Sequence, residues 1–295
     1  MPNPSTPLPP IVAAVDGSAS SYQAVAWAAV DATLHHHSLH ILTSMAISTG
    51  FGSGMSLGKA DVEWLRSDGE RILTEAARVA RQAAPAEELD LTTELTFVEI
   101  IPTMIERSAR AKMLVVGSRG IGAFHRGLLG SVSTAVTHHA HCPVAVIHGI
   151  AAIDPVSASM PVLVGVDGTA NSVPAIELAF EEASRRKVGV TALHTWSDAS
   201  GIELPYSGWE AQRESEQARL AEQLAGFCDR YPEVPLKRIL KCDRPVRALL
   251  EESANAQLLV VGSHGRGGFE SMVLGSTSNA LLHSVECPMV VVRKT

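Results

Sequence analysis

Short runs of aliphatic and β-branched residues alternate with longer amphipathic stretches, beginning with Ile11-Val-Ala-Ala-Val15. That run has strand length, and Ser18 after it is placed to cap a helix through Ala32. On that helix Tyr22, Val25, Ala29 and Val30 share a face. Residues 40–45 read as a second strand, and 61–84 as a long amphipathic helix that stops before Pro85. Residues 91–97 give a third strand, followed by a helix over 102–111 with Pro102 at its start. A strand over 113–116, a helix over 131–139 and a strand over 144–148 complete the series. Strands joined through helices lie side by side in one direction, so this alternation predicts a parallel sheet flanked by helices. Continuous Val, Ile and Leu runs suit strands buried on both faces.

The whole pattern then occurs a second time. Ile11-Val-Ala-Ala-Val-Asp-Gly-Ser18 has its counterpart in Val162-Leu-Val-Gly-Val-Asp-Gly-Thr169, and Met113-Leu-Val-Val-Gly-Ser118 in Leu258-Leu-Val-Val-Gly-Ser263. Gly127-Leu-Leu-Gly-Ser-Val-Ser133 matches Met272-Val-Leu-Gly-Ser-Thr-Ser278, and His141-Cys-Pro-Val-Ala-Val146 matches Glu286-Cys-Pro-Met-Val-Val291. Four matches in the same order mark a duplicated domain. The second half predicts strands over 162–166, 190–195, 236–241, 258–261 and 289–292, with helices over 174–186, 210–231, 245–254 and 277–285. We divide the chain into an unstructured arm 1–10, a first domain 11–149, a linker 150–160 and a second domain 161–295. Each repeat has the ordinary size of a single domain.

Composition narrows the function. The chain has 24 Lys+Arg against 31 Asp+Glu, a formal charge of -7, and no basic run, so a nucleic-acid backbone is not its expected partner. No apolar run reaches the ~20 residues of a membrane helix, so no membrane insertion is expected. The Pro-rich start lacks both the basic region and the apolar core of a secretory signal. A cytoplasmic location is expected, with Cys142, Cys228, Cys242 and Cys287 as free thiols.

Ligands of open parallel sheets bind beyond the carboxyl ends of the strands, which points to the loops after strands one and four. After strand four the first half reads Gly117-Ser-Arg-Gly-Ile-Gly-Ala-Phe-His-Arg-Gly-Leu-Leu-Gly-Ser131. The second reads Gly262-Ser-His-Gly-Arg-Gly-Gly-Phe-Glu-Ser-Met-Val-Leu-Gly-Ser276. Both are glycine, two residues, glycine, nine residues, glycine, serine. We expect the first two glycines to turn the backbone at positive φ and bring amides close to a ligand. The closing Gly-Ser opens a helix whose free N–H groups and positive dipole end suit a phosphate. The hydroxyls of Ser131, Ser133, Ser276 and Ser278 are placed to add hydrogen bonds to it. No Lys follows the glycines as in a Walker loop, and a dinucleotide fingerprint would follow the first strand rather than the fourth.

These paired loops, with an Asp closing strand one, resemble the universal stress protein family over residues 10–295 in its tandem form. The resemblance implies two open five-stranded parallel sheets flanked by helices, a Rossmann-like α/β fold of the adenine nucleotide alpha hydrolase type. It further implies the ATP-binding branch, with ATP and Mg2+ at each repeat. In the first site it assigns Ala14, Asp16, Met45, Gly117, Ser118, Arg119, Gly120, Ile121, Gly122, Ala123, Gly130, Ser131, Val132 and Ser133. In the second it assigns Gly165, Asp167, Trp196, Gly262, Ser263, His264, Gly265, Arg266, Gly267, Gly268, Gly275, Ser276, Thr277 and Ser278. Asp16 and Asp167 would stand at the adenine–ribose end, the backbone near Met45 and Trp196 beside the adenine, and the loops around the phosphates. The position two before the aspartate is Ala14 in one half and Gly165 in the other, so a methyl against the base would distinguish the sites. The expected role is regulatory, with nucleotide occupancy altering association with itself or another protein and no chemistry required of the chain. The alternative is a slow ATPase or adenylate-transferring enzyme of the same fold. The family also implies pairing through the fifth strands, 144–148 and 289–292, and a homodimer.

The histidines attract a metal reading and do not sustain it. His35, His36, His37 and His40 lie at a helix end where the second half has Arg185, Arg186 and Lys187, cationic groups that the dipole favours. His138, His139, His141 and Cys142 lead directly into a strand and keep only His283 and Cys287 in the repeat. His125, Arg126, His264 and Arg266 fall at different places in the two loops, which argues against a shared catalytic role.

Overall fold

A computed structural model describes residues 8–47, 58–84, 89–120, 129–149, 155–196, 209–265 and 273–293. The chain divides into two compact units, Met1–Ile147 and His148–Thr295. In the first, β1 (Ile11–Ala14), α1 (Ala19–His35), β2 (Leu39–Ser44), α2 (Lys59–Ala83) and β3 (Leu91–Thr96) carry the chain outward from the middle of the sheet. After α3 (Ile100–Ser108) it returns to the other side of β1 through β4 (Met113–Gly117), α4 (Ser131–His139) and β5 (Val144–Ile147). The strand order is β3-β2-β1-β4-β5, and every pair is parallel. The connections leaving β1 and β4 therefore diverge, and a crevice opens between them at the carboxyl ends of the strands.

The second unit repeats this plan. A short helix α5 (Pro155–Ala158) precedes β6 (Val162–Val166), a turn of 3-10 helix (Ala170–Ser172), α6 (Val173–Arg186), β7 (Val190–Thr195) and α7 (Trp209–Arg230). Then come β8 (Leu236–Lys241), α8 (Pro245–Ser253), β9 (Leu258–Gly262), α9 (Ser276–Ser284) and β10 (Met289–Val292). Its order is β8-β7-β6-β9-β10, parallel throughout. Ile11, Leu39, Leu114 and Ile147 in one unit, and Leu163, Ile176, Phe180 and Leu193 in the other, are fully buried. This is the sandwiching of a sheet between helices that the unbroken aliphatic runs require.

Several boundaries differ from the sequence reading for physical reasons. α1 continues past Ala32 to His35, because His36 takes the left-handed conformation (φ 58°) and returns its N–H to Ala32 and Thr33. Lys187 (φ 56°) ends α6 in the same way. α3 starts at Ile100 rather than Pro102, and the proline sits within the first turn, where no donor is needed. The expected linker contains α5, and the Gln257 amide donates to the carbonyls of Ala158 and Met160 just after it. Pro85, the expected stop of α2, lies outside the described residues. α2 ends at Ala83 before it.

The thiols give a test of this packing. Cys142 and Cys287 are buried at the entry to β5 and β10, and burial pushes both up to about 12, whereas Cys242 is exposed. An aromatic disulfide reagent at pH 8 should modify Cys242 rapidly and reach Cys142 and Cys287 only on unfolding. In the unfolded chain these thiols ionise near the ordinary 9.0, and in the fold they stay neutral to about 12. Their contribution to stability is thus present below about pH 9 and lost as the pH climbs toward about 12, by ~1.4 kcal/mol per thiol per pH unit. Urea midpoints across this range should fall less steeply for Cys142→Ala than for the wild-type chain.

Candidate functional site

Each candidate site is assembled where the first and fourth strands of a unit end. In the first unit the chain leaves β1 through Val15, Asp16 and Gly17, and Gly17 has φ 87°, which only glycine adopts at little cost. This turn lets the Asp16 Oδ1 accept from the Ser18 N–H at 2.9 Å, while Ser18 caps α1 by accepting from Ser21 N–H at 3.2 Å. Across the crevice, Ser118 N–H donates to Ile147 at 2.9 Å, and Gly130 N–H returns to the Ser118 carbonyl at 2.9 Å, closing the loop at its neck. Ser133, 3% exposed, donates its hydroxyl to the Gly117 carbonyl at 2.6 Å. α4 begins immediately after this neck, with Gly130 as its cap, a residue that has no side chain to bond to the first amides. A helix start without a capping side chain leaves its first backbone N–H groups as donors for another partner.

The second unit builds the same device from its own residues. Gly168 has φ 76°, and Asp167 Oδ1 accepts from both the Thr169 amide and hydroxyl at 2.8 Å. Ser263 N–H donates to Val292 at 2.8 Å, Gly275 N–H to Ser263 at 2.7 Å, and Ser278 hydroxyl to Gly262 at 2.7 Å. α9 starts at Ser276 without a side-chain cap. His264 heads the loop, with Nδ1 at 3.0 Å from the Ser263 hydroxyl.

The glycines are needed for close approach, which corrects one expectation. Gly117, Gly120, Gly262 and Gly265 do not have positive φ; among described glycines only Gly17, Gly149 and Gly168 do. A Cβ on Gly117 would stand 2.6 Å from Ser20 Oγ and 2.8 Å from the Ser20 backbone, so β4 ends pressed against the start of α1. A Cβ on Gly120 would lie 2.5 Å from Asp16 Oδ2, which places the loop directly over the aspartate. In the second unit the corresponding clearances are larger: 3.2 Å to the Asn171 carbonyl at Gly262, and 3.8 Å to Asp167 Oδ2 at Gly265. A Cβ on Gly165 would meet Leu249 and Val261 at 3.3–3.4 Å.

The structure therefore brings Asp16 together with Gly120 and Asp167 with Gly265, and it joins Gly130 to Ser118 and Gly275 to Ser263 at the loop necks. Ser133 and Ser278 commit their hydroxyl protons to backbone carbonyls instead of presenting them to a ligand. Ser131 and Ser276 are exposed, with Val132 and Thr277 half-buried beside them. Met45 N–H donates to Thr96 and Trp196 N–H to Lys241, so both extend the second strand at the rim of the crevice. Ile121, Gly122, Ala123, Arg266, Gly267 and Gly268 lie outside the described residues.

Ser20 and Asn171, which abut the glycines that close the fourth strands, were not singled out in the sequence. They follow the matched Asp-Gly-Ser/Thr segments and differ from each other, so nothing in the repeat drew attention to them. Also missed were Thr43 and His194 on the second strand of each unit, which bond to the carbonyl just before the aspartate: Thr43 Oγ1 to Val15 at 2.7 Å, and His194 Nδ1 to Val166 at 2.7 Å.

The universal stress protein family model matches residues 8–148 and 159–293. The chain is 44% identical over 286 residues to a universal stress protein of Mycobacterium tuberculosis, covering 97% of each. It is 41% identical over 289 residues to one of Mycolicibacterium smegmatis, covering 96% of each. Among solved structures, a universal stress protein from Archaeoglobus fulgidus has the same fold with a TM-score of 0.67 at 19% identity, covering 97% of this chain and 98% of that one.

The clearances predict unequal tolerance of the two loops. Gly120→Ala has to displace the Asp16 carboxylate, whereas Gly265→Ala fits within ordinary contact distance. Gly117→Ala collides with the Ser20 backbone and should lower stability by about 1–3 kcal/mol. Gly262→Ala should cost less than Gly117→Ala. Urea denaturation of the four variants checks this order, and equal losses in the two domains would contradict it.

Proposed function

Because the chain belongs to the universal stress protein family, with two of its domains in tandem, we propose that each domain binds one ATP, with Mg2+ on its phosphates, at the end of its fourth strand. A role in the stress response goes with the family. The nucleotide reading rests on one observation: both repeats hold an uncapped helix start and an aspartate on opposite sides of one crevice, by the same set of hydrogen bonds. The two ends of a nucleotide have opposite needs. Its phosphates accept, and the amides of α4 and α9 offer donors aided by the helix dipole. Its ribose hydroxyls donate, and ionised Asp16 and Asp167 can only accept.

In this reading occupancy changes how the protein associates, as a cytoplasmic homodimer or with another protein, and ATP is held rather than consumed. Ligand released from freshly purified, denatured protein should be identified as adenine nucleotide by mass spectrometry. Calorimetry with Mg·ATP should give up to two sites per chain. Release of ADP or AMP in proportion to enzyme and time would instead establish turnover.

Asp16 separates binding from folding. Asn at this position retains an oxygen for the Ser18 amide and loses the charge. Asp16→Asn should keep the melting temperature and weaken ATP at the first site by about 1.5–3 kcal/mol, the usual worth of a hydrogen bond to a charged group. An earlier melt with unchanged affinity would make Asp16 a turn residue only.

A further inference from the structure

The two aspartate turns share a backbone and differ in what one hydroxyl does. In the first unit Ser18 gives Asp16 its amide, at 2.9 Å to Oδ1. The Ser18 hydroxyl oxygen serves α1 instead, accepting from the Ser21 N–H at 3.2 Å. In the second unit Thr169 gives Asp167 both its amide and its hydroxyl. That hydroxyl is shared between the two carboxylate oxygens, 2.8 Å from Oδ1 and 2.9 Å from Oδ2. Thr169 is also held from outside its turn. The Gln223 amide on α7 donates to the Thr169 carbonyl at 2.9 Å and to the Ser172 hydroxyl at 3.1 Å. The Ser18 carbonyl is bonded from within its own turn, by the Ser21 hydroxyl at 2.9 Å and the Tyr22 amide at 3.1 Å.

The glycine loops differ in the same sense. A Cβ on Gly120 would stand 2.5 Å from Asp16 Oδ2, and one on Gly265 would stand 3.8 Å from Asp167 Oδ2. The first loop therefore lies closer over its carboxylate and leaves less room beside it for water. These differences set what a missing ligand hydroxyl costs. A site built to bond a sugar hydroxyl loses that bond when the sugar lacks the group, and the loss is greatest where no other donor takes its place. At Asp167 the Thr169 hydroxyl is already on the carboxylate, and the loop stands off. At Asp16 the hydroxyl of the turn is used elsewhere, and the loop crowds Oδ2.

We propose that the two sites differ in sugar specificity: the first requires the ribose hydroxyls of its nucleotide, the second also takes a deoxy sugar, and Thr169 sets the difference. This rests on the nucleotide reading given above. Thr169 is a positioning residue, acting through the Asp167 carboxylate rather than on the ligand, and Gln223 keeps it in that place.

Each site is read alone in the full chain by placing a carboxylate at the helix start of the other, with Ser131→Asp or Ser276→Asp. Both serines are exposed, and the added charge repels phosphate. Calorimetry then compares Mg·ATP with Mg·2′,3′-dideoxy-ATP, which lacks both ribose hydroxyls. At the first site the dideoxy compound should bind about 10-fold to 100-fold more weakly than ATP, the worth of hydrogen bonds to a charged group. At the second site the loss should be about threefold or less, because the carboxylate keeps its Thr169 donor. Thr169→Val keeps the amide bond to Asp167 and removes the hydroxyl, so it should raise the second-site loss to about 10-fold. Thr169→Ser keeps a hydroxyl and should retain the wild-type tolerance. Thr169 Oγ1 also accepts from the Asn171 N–H at 3.2 Å, so the valine variant loses a cap as well. That structural loss weakens both nucleotides alike and leaves their ratio unchanged. Equal losses at the two sites, or a ratio that Thr169→Val does not move, overturns the proposal. If ATP itself binds at neither site, the nucleotide reading fails and the proposal falls with it.

Discussion

The site in each domain depends on a serine hydroxyl bonded to the carbonyl that ends the fourth strand, Ser133 to Gly117 and Ser278 to Gly262. A long glycine-rich loop is entropically costly to fix, and its order has to be imposed from its two ends. Here the ends are joined twice. The glycine amide at the helix start bonds back to the serine after the strand, and the buried hydroxyl one turn into the helix bonds to the strand itself. In the first domain the strand ends in glycine because Ser20, at the start of α1, leaves no room for a Cβ there.

The repeat made the architecture legible. Duplicated Asp-Gly-Ser/Thr and Gly-Ser segments placed every strand within a residue or two, since apolar runs of that length between helices have few alternatives. The glycine loops were found by the same comparison, but the reason for their glycines was misread. Positive φ is a property of one residue and is tempting to infer from composition. Close approach depends on a partner distant in sequence, here Ser20, Asn171 and Asp16, and no spacing rule gives those neighbours. Ser133 and Ser278 were expected to bond a phosphate and bond backbone carbonyls instead. A hydroxyl beside a buried carbonyl bonds inward, and only the packing shows that the carbonyl is there.

Duplication conserves geometry more strictly than chemistry. One carbonyl at the end of the first strand takes its hydrogen from threonine in one domain and from histidine in the other. The turn after it is held through the Ser18 amide in one and through both the amide and hydroxyl of Thr169 in the other. Each substitution keeps a donor at the same point of the backbone while changing its size or number of bonds. The frame is thus kept while the side chains that support it change.

The strands farthest from the switch points share a further property. β3 and β8 have the same succession of exposed and half-buried positions, with Thr92 and Thr93 exposed in one, and Lys237 and Arg238 in the other. On β3, Glu94 is held by His40 at 3.0 Å and by Arg107 at 2.9 Å. An additional strand from another molecule, laid along either of these, would have to strip water from those groups or part the ion pairs. Lateral accretion of strands is thus discouraged by the side chains themselves, even though the backbone donors and acceptors of an outermost strand invite it.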